Sequence, residues 1–290
     1  MCACHNRYAH FFEAVLKHVA ITTALWQSVG FVHGVLNTDN VSILGLTIDY
    51  GPFRFADEFD ENVVPNSSDD EGRYSYSCQP AVMEENLRHL LTALSRLMTS
   101  DEHRDAEDVL KRYTTVYQQE YMRAFQHKLG LSGVEIADDD ETLISQLLSI
   151  MADQRADFTA TFRQLSDISL HVLLRVKRKS VKQLPWALQQ LVQHSHFSSW
   201  LARYAKRLKR AGVSDSERQS VMKRANPRYV LRNWMAQQAI NRAEIDDFSV
   251  IHSLQAILRR PFDKQSAAEM MGYSSRPPLW SRNITVSCSS

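Results

Sequence analysis

The chain has 290 residues, of which 44% are hydrophobic and 23% charged, a composition typical of globular proteins. Its formal net charge of +1 gives no global electrostatic reason to expect nucleic acid or an acidic membrane as a partner. Nine glycines and eight prolines are few for this length, so long helices are favoured over a sandwich or barrel of many short strands. The same composition excludes collagen-like, disordered and disulfide-scaffold classes.

The N-terminal segment and the cysteines indicate the compartment. No apolar run reaches the roughly 18 residues of a membrane-spanning helix, and the first ten residues do not resemble a secretory signal. Cys2, Cys4, Cys78 and Cys288 are too few and too scattered for a disulfide framework. Cys2, Cys4 and His5 are close enough to bind a metal, but no second pair of ligands follows. We therefore interpret them as part of a chain end that holds no metal. We expect a protein that is not secreted: cytoplasmic if bacterial, mitochondrial if eukaryotic.

Helical periodicity accounts for most of the chain. Apolar residues recur at helical spacing over 10–29, and Gly30 provides a stop signal. A turn-rich loop leads to the β-branched run 41–49, which predicts a strand or a tight hairpin. Residues 54–80 are predicted to form an acidic loop. The further predicted helices are 80–98, 101–129, 141–153, 155–165, 183–195, 198–211, 214–224, 230–243 and 247–258.

Two helix starts and the tail have specific signals. Ser100 is the predicted N-cap of the helix 101–129. The acidic run 137–141 could be taken for a metal loop, but acids just before an apolar helix indicate a helix N-terminus. The tail from Pro261 is less periodic, and no helix is predicted there.

Charge is segregated along the sequence. Eight acids and one base, Arg54, lie between Asp49 and Glu71, whereas sixteen Lys or Arg and two acids lie between Arg175 and Arg242. We interpret the basic residues as solvated helix faces; the alternative is a surface for an anionic partner such as a nucleotide, an acidic protein or RNA. No aromatic stacking motif interleaves the basic residues, so nucleic acid is not favoured.

The segment HGVLNTDN at 33–40 and the tripeptide DYG at 49–51 point to chemistry. Asn40 and Asp49 supply hard oxygen ligands suited to Mg²⁺, with nucleotide phosphates completing its shell. Asp39 can accept a proton from an incoming hydroxyl. Phosphoryl and nucleotidyl transfer require these two parts, a metal that neutralises charge and a base that aligns the nucleophile. An isolated Asp-Asn pair usually only shapes a loop, and the full spacing is what favours a site.

The spacing matches the catalytic loop and the Asp-Phe-Gly motif of protein kinases, with one difference. His33 and Asn40 are seven residues apart, as in the kinase pattern, and Asp49 stands where the metal-binding aspartate would. The kinase's catalytic aspartate, two residues after the histidine, is replaced by Val35. An ordinary kinase mechanism is therefore disfavoured, and Asp39 is the nearby carboxylate that could replace that base.

Longer segments resemble the selenoprotein O family of protein adenylyltransferases, which have a kinase-like fold. The resemblance is carried by HGVLNTDNVSILGLTIDYGPF at 33–53, PNSSDDEGRYSYSCQP at 65–80, NPRYVLRNWMAQQAI at 226–240 and the ending VSCSS. These segments occur in the family's order and extend from about residue 11 to the last residue. Cys288 occupies the position that is selenocysteine in some members.

This resemblance implies a reaction and roles for the site residues. Family members are pseudokinases by ancestry that bind ATP in an inverted orientation, transfer AMP to Ser, Thr or Tyr hydroxyls of proteins, and release pyrophosphate. Matched by motif, Asp39 resembles the proton acceptor and Asn40 a Mg²⁺ ligand. Asp49 resembles a Mg²⁺ ligand that also contacts the nucleotide. The expected cofactor is Mg²⁺, the expected partners are ATP and hydroxyl-bearing proteins, and no membrane partner is expected.

The chain also departs from the family's pattern. Members carry an earlier region with a glycine-rich loop, a phosphate-binding lysine with its glutamate partner, and nucleotide-binding arginines, whereas thirty-two residues precede His33. We therefore expect a C-terminal portion whose N-terminal lobe is missing. Arg54 stands in place of a glycine, Pro65 in place of a cysteine of some members, and Ser67 in place of a histidine. In those members the cysteine could pair with the C-terminal one, which leaves Cys78 as a remote candidate here.

Together these observations predict a mainly α fold, an incomplete selenoprotein O family domain over 1–290. A protein-kinase-like C-lobe with a short catalytic-loop hairpin is expected over about 1–175, and a basic helical C-terminal extension over about 176–290. The expected function is that of a protein adenylyltransferase, inactive or weak in this chain. One alternative is a non-catalytic remnant that binds a partner through its basic helices. Another is ordinary kinase activity on a small molecule.

Overall fold

Helices dominate the computed structural model, which describes residues 7–133, 135–137, 139–175 and 178–286. The α-helices of this part of the chain are α1 Arg7–Val29, α2 Gln79–Leu94, α3 Ser100–Lys111, α4 Tyr113–Lys128, α5 Asp140–Asp153, α6 Phe158–Asp167, α7 Leu170–Arg175, α8 Trp186–Leu191, α9 Phe197–Arg210, α10 Asp215–Ala225, α11 Asn233–Ala243, α12 Ser249–Leu258 and α13 Ser266–Met270. The strands are β1 Phe31–Val32 and β2 Arg54–Phe55. Short 3₁₀ turns lie at Thr38–Asn40, Tyr76–Cys78, Ser95–Leu97, Arg178–Gln183 and Leu279–Asn283. The prediction of a mainly α fold is confirmed.

The first helix follows its sequence signals closely. Its buried positions include Phe12, Val15, Leu16 and Val19. This i, i+3, i+4, i+7 spacing is that of one helix face. The helix ends at Val29 and is followed by Gly30, whose φ of 68° is left-handed and whose N–H donates to the Gln27 carbonyl at 3.3 Å. The predicted helix over 10–29 and its stop signal are confirmed.

The single helix predicted over 101–129 is two helices, α3 and α4, and the prediction of Ser100 as the cap was wrong. Thr99 caps α3: its hydroxyl accepts the N–H of Glu102 at 3.3 Å, and its own N–H donates to the Glu102 carboxylate at 2.8 Å. A capping box requires the glutamate three residues after the cap, a spacing that Thr99 meets and Ser100 does not. Arg112 separates the two helices, and Tyr113 at the start of α4 is buried.

The other differences from the predicted helices are at their ends. The predicted helix 80–98 ends at Leu94, followed by a 3₁₀ turn. Pro185 precedes the first residue of α8, which shortens the predicted helix 183–195. Helices α7 and α13 were not predicted, because one or two turns give too little periodicity to recognise.

The chain divides into two compact units. In the described residues, the first unit comprises 7–53, 61–122 and 285–286, and in it α1 packs against α2 and α3. The second unit comprises 54–60 and the described part of 123–284. In it α6 packs against α10, α5 against α9, and α11 against α12. The domain boundary predicted near residue 175 stays a prediction.

Several arginines of the basic segment are buried ion-pair partners. Arg232 is 3% exposed. It donates to both carboxylate oxygens of Asp157, at 2.7 and 3.0 Å, and also pairs with Asp57. Burial raises the pKa of Asp157, and the guanidinium of Arg232 opposes that rise. Two carboxylates and one guanidinium therefore lie together in the second unit, with Asp157 and Arg232 buried and Asp57 partly buried.

Two more arginines of this segment are internal. Arg207 donates to both oxygens of Asp140, at 2.7 and 3.0 Å. This ion pair lies at the N-terminus of α5, where the acidic run 137–141 was predicted to begin a helix. Arg218 is fully buried and donates to Asp215 at 2.7 Å and to backbone carbonyls. The interpretation of the basic segment as solvated helix faces is wrong for these residues, because pairing with carboxylates and backbone carbonyls allows their burial.

No helix in the described ranges is both long and apolar enough to cross a lipid bilayer.

Candidate functional site

Asp39 and Asn40 lie side by side in a 3₁₀ turn of the first unit. The turn spans Thr38–Asn40, and the N–H of Asn40 donates to the Asn37 carbonyl at 3.0 Å. Asp39 is exposed, whereas Asn40 is buried. One residue is therefore accessible to a substrate, and the next is anchored in the protein.

The amide of Asn40 is oriented by a neighbouring backbone carbonyl. Its Nδ2 donates to the Val35 carbonyl at 3.2 Å. Because the amide nitrogen is used in this way, the amide oxygen Oδ1 lies on the other side of the group and remains for a cation or a donor. Val35, which stands where a kinase has its base, thus contributes its carbonyl to the position of Asn40.

A tight hairpin connects this turn to Asp49. Val41 and Thr47 form an antiparallel bridge, and the N–H of Gly45 donates to the Ser42 carbonyl at 3.1 Å. Asn40 is one residue before the bridge and Asp49 two residues after it, so the hairpin returns the chain to the end where it began. The predicted hairpin is confirmed, and it brings Asn40 and Asp49 to the same end.

Asp49 has an unusual backbone conformation. Its φ is 53°, in the left-handed region that residues other than glycine rarely adopt. The Gly51 N–H donates to the Asp49 carbonyl at 2.8 Å, which closes a tight turn. The side chain of Asp49 is exposed.

His33 links the two ends of the loop. Its backbone N–H donates to Gln79 Oε1 at 2.9 Å, and its ring Nε2 bonds to the Ile48 carbonyl at 2.8 Å. Since a carbonyl only accepts, Nε2 carries the proton. Burial lowers the pKa of His33, although its bond to Ile48 and the nearby charge of Asp49 oppose this. His33 is therefore a neutral residue that positions the backbone next to Asp49.

Helix α2 holds the start of the loop through two side-chain amides. Gln79 Nε2 donates to the Phe31 carbonyl at 3.0 Å, and Asn86 Nδ2 donates to the Leu36 carbonyl at 2.9 Å. Both amides are buried. Neither residue was predicted to hold the loop. Two carboxamides seven residues apart lie on the same helix face, and this spacing among apolar neighbours was a usable signal.

Helix α1 holds the hairpin through a second row of side chains. Thr22 Oγ1 donates to the Gly45 carbonyl at 2.7 Å, and Trp26 Nε1 donates to Thr47 Oγ1 at 2.8 Å. His18 Nδ1 lies 3.3 Å from the Ile43 carbonyl. His18, Thr22 and Trp26 are four residues apart along one helix face. In the sequence Trp26 is one of the apolar residues that recur at helical spacing over 10–29, and this row of polar contacts was not predicted.

Two glycines allow the loop to pack closely. A Cβ at Gly34 would lie 2.6 Å from the Pro52 carbonyl oxygen and 2.9 Å from Pro65 Cγ. A Cβ at Gly45 would lie 2.9 Å from the Cβ of His18. Both glycines have positive φ. These positions therefore require glycine for conformational and steric reasons.

The donor set fits a magnesium ion. Asn40 and Asp49 offer one amide oxygen and one carboxylate, and Mg²⁺ in nucleotide sites typically takes one or two protein ligands with phosphates and water. No group of three or more His, Cys, Asp or Glu side chains suited to a metal occurs in the described residues. Residues 30–53 contain no Lys or Arg. A cation at this site would therefore rely on phosphate oxygens for the rest of its shell.

The cysteines and the C-terminal end lie partly outside the described residues. Cys2, Cys4 and His5, interpreted from the sequence as a chain end without a metal site, lie outside them, as does Cys288 at the position that is selenocysteine in some family members. Val286 forms a parallel bridge with Asn66, and its carbonyl accepts the Ser67 N–H at 3.1 Å. Cys78 is an exposed free cysteine.

The kinase-like spacing of the loop and its hairpin fits a family of nucleotide-dependent transferases, and comparison with known proteins identifies that family. The chain belongs to the protein adenylyltransferase SelO family, whose sequence model matches residues 1–259. The chain is similar to the protein nucleotidyltransferase YdiU of Myxococcus xanthus (strain DK1622), with 42% identity over 285 residues that cover 98% of this chain and 55% of that protein. The chain thus spans about half the length of this curated relative. The resemblance to the selenoprotein O family is confirmed.

Proposed function

We propose that Asp39, Asn40 and Asp49 form a site for Mg²⁺ and ATP, and that the chain uses it to transfer AMP to Ser, Thr or Tyr hydroxyls of proteins. The observation that carries the proposal is the buried amide of Asn40. Its nitrogen is engaged with the Val35 carbonyl, which leaves its oxygen for a cation beside the exposed Asp39. Membership of an adenylyltransferase family supports a nucleotide as the ligand.

The three side chains have separate roles in this proposal. Asn40 and Asp49 would hold Mg²⁺, which when bound neutralises phosphate charge and favours attack at phosphorus. Asp39 accepts the proton of the protein hydroxyl. The hydroxyl oxygen forms a bond to the α-phosphorus, the bond from that phosphorus to its bridging oxygen breaks, and pyrophosphate leaves with the electron pair. Val35 has no group that could take the proton.

We further propose that the 290-residue chain by itself transfers AMP weakly. The loop 30–53 has no Lys or Arg, and its two aspartates repel a triphosphate. Removing a single electrostatic donor from a transfer site commonly costs a factor of about 10²–10³ in rate. A chimera that joins this chain to the part of the Myxococcus xanthus relative outside the matched region is expected to transfer AMP faster.

The kinase-like C-lobe over about 1–175 belongs to the same proposal. Its support is the order of elements: α1, the turn with Asp39 and Asn40, a hairpin, and then Asp49-Tyr50-Gly51. This order is that of a kinase catalytic loop and its metal-binding aspartate. The basic extension over about 176–290 would follow it.

Radiolabelled ATP tests the reaction. The chimera is incubated with a protein acceptor and either [α-³²P]ATP or [γ-³²P]ATP, with Mg²⁺ or with EDTA. We expect label on the protein from the α-position only, and only with Mg²⁺. Label from the γ-position would favour a kinase. Absence of nucleotide binding would favour the non-catalytic, partner-binding alternative.

Matched variants localise the reaction. Asp39→Asn and Asp49→Asn are expected to abolish labelling from [α-³²P]ATP. Asp101→Asn is the control, because Asp101 is an exposed aspartate in the first turn of α3 and outside the loop. Labelling by the control should equal that of the parent chimera. Unchanged labelling by Asp49→Asn would contradict the proposed site.

A further inference from the structure

The backbone conformation of Asp49 needs support from its surroundings. A positive φ at a residue other than glycine is disfavoured and persists when neighbouring groups fix it. The turn that closes after Asp49 is a single bond from the Gly51 N–H. After Asp49, the ring of Tyr50 packs against Phe31 and Phe53, at 6.3 and 5.5 Å between centroids. Before Asp49, support acts through Thr47 and Ile48.

Two side chains hold these two residues. Trp26 donates its indole N–H to Thr47 Oγ1 at 2.8 Å, and His33 donates its ring N–H to the Ile48 carbonyl at 2.8 Å. Trp26 is 6% exposed, and its bond to Thr47 is partly shielded from water. Two consecutive residues before Asp49 are thus each tied to a buried ring.

The two rings belong to one packed cluster. The centroid of the Trp26 ring lies 5.7 Å from that of His33 and 5.8 Å from that of Phe31. Phe31 in turn contacts the ring of Phe53 at 5.8 Å between centroids. Because the rings brace each other, the indole N–H has a fixed direction, and the hydroxyl of Thr47 is held where that direction leads.

We propose that Trp26 is a positioning residue: its indole N–H fixes Thr47 and thereby holds Asp49 in its left-handed conformation, which sets the affinity of the site for a divalent cation. This inference rests on the proposed function, in which Asp49 is a metal ligand. The indole contributes through one hydrogen bond, and the loss of that bond is separable from the loss of ring packing.

Conservative variants of the 290-residue chain remove the bond alone. Trp26→Phe keeps an aromatic ring and removes the N–H, Thr47→Val removes the acceptor, and Thr47→Ser keeps it. The conformation of Asp49 is read from its three-bond amide–Hα coupling and chemical shifts by NMR. Cation binding is read from the broadening of the Asn40 and Asp49 amide signals as Mn²⁺ is added.

The expected results differ between these variants. Trp26→Phe and Thr47→Val should change the Asp49 coupling and raise the Mn²⁺ concentration for half-broadening about threefold to tenfold, the range that one hydrogen bond contributes. Thr47→Ser should behave as the wild type. The double variant Trp26→Phe with Thr47→Val should be no worse than either single variant, because both remove the same bond.

Trp200→Phe is the matched control. Trp200 Nε1 donates to the Leu143 carbonyl at the same distance, 2.8 Å, in the second unit. This variant loses an equivalent and more deeply buried bond. It should lower the unfolding temperature and leave the Asp49 coupling and the Mn²⁺ titration unchanged. A purely structural role for Trp26 would make the two variants behave alike.

The variant Asp49→Asn separates failure of this inference from failure of the proposed function. If Asp49→Asn weakens Mn²⁺ binding but Trp26→Phe does not, the inference about Trp26 is overturned and the metal site stands. A changed Asp49 coupling in Trp26→Phe without weaker Mn²⁺ binding overturns it as well. If Asp49→Asn binds Mn²⁺ as the wild type does, the proposed metal site is wrong.

Discussion

Asn86 of α2 and Leu36 of the loop are joined by a buried hydrogen bond, 2.9 Å from the Asn86 side-chain nitrogen to the Leu36 carbonyl oxygen. Leu36 is 1% exposed and lies three residues before Asp39. Because Leu36 is buried, water cannot take the place of the Asn86 side chain, and without Asn86 the Leu36 carbonyl would have no hydrogen-bond donor. The bond therefore fixes the loop to α2 close to the turn that carries Asp39 and Asn40.

Asn86→Leu should destabilise the fold and weaken the site together. Leaving the Leu36 carbonyl unsatisfied should lower the free energy of unfolding by about 1–3 kcal/mol, measured by urea denaturation. The affinity for Mn²⁺ should fall with it. Leu91→Ala on the same helix is the control: it should cost about 2–5 kcal/mol by opening a cavity and leave Mn²⁺ affinity unchanged. Equal affinities in Asn86→Leu and the wild type would contradict this role.

Gly45→Ala tests the contact between the hairpin and α1. Gly45 and Gly212 have the same φ of 69°, but a Cβ at Gly45 would lie 2.9 Å from His18 Cβ, whereas nothing lies within 4 Å of one at Gly212. Both substitutions strain the backbone by about 1–2 kcal/mol, and Gly45→Ala adds a steric clash. We expect Gly45→Ala to lower the unfolding temperature more and to weaken Mn²⁺ binding. Equal shifts in unfolding temperature would show that the hairpin moves away from α1 without cost.

The sequence predicts the parts of this structure that depend on local pattern. The helix over 10–29 follows from apolar periodicity and the stop signal at Gly30, and the hairpin after Asn40 follows from the β-branched run 41–49. The roles of Asp39, Asn40 and Asp49 follow from spacing and family resemblance, and they stay predictions. The family itself is confirmed.

The parts that the sequence does not reveal depend on partners far apart in the chain. Trp26, Gln79 and Asn86 are ordinary helix residues in the sequence. The spacing of Gln79 and Asn86 indicates a shared helix face, but the loop atoms that the three side chains bind are known only once the loop is placed against α1 and α2. In the same way Arg232 appears as one base among sixteen, while its partners Asp57 and Asp157 are 175 and 75 residues away. Long-range pairing of this kind leaves no periodic signal.

Arg232→Met should be strongly destabilising, because it leaves Asp157 and Asp57 without their guanidinium partner. Breaking a buried ion pair in this way costs about 3–5 kcal/mol. The control is Arg210→Met, which removes a pair with Asp139 of the same length, 2.7 Å, at the surface. An exposed pair contributes about 0–1 kcal/mol. Equal losses in urea denaturation would show that burial does not determine the contribution of Arg232.

Lys128 should make the stability of the fold depend on pH. It is 2% exposed, donates to Asn226 Oδ1 at 2.7 Å, and lies 4.0 Å from the ring centroid of Phe162. Burial lowers its pKa well below the usual value of 10.5. The unfolded chain therefore binds this proton more readily than the folded one. The free energy of unfolding is consequently highest above pH 10.5, where Lys128 is neutral in both states, and it decreases as the pH falls to and through the pKa of Lys128 in the folded chain.

The variant Lys128→Met isolates this effect. Wild-type stability should rise from pH 7 to pH 9, and the rise should be smaller in Lys128→Met, which has no proton to bind there. Urea denaturation at several pH values measures the slope. Lys111→Met at an exposed position should keep the wild-type slope. A slope in Lys128→Met equal to that of the wild type would contradict the depressed pKa.

Measuring Mg·ATP binding and AMP transfer separately tests the proposed site of Asp39, Asn40 and Asp49 most directly. In the chimera, Mg·ATP affinity is measured by calorimetry and AMP transfer from [α-³²P]ATP in a single turnover. Asp49→Asn should lose Mg²⁺-dependent nucleotide affinity and transfer together. Asp39→Asn should bind Mg·ATP as the parent does and lose about 10²–10⁴ in transfer rate, the usual contribution of a general base. Transfer by Asp39→Asn at the parent rate, or undiminished Mg·ATP affinity in Asp49→Asn, would contradict the proposed roles.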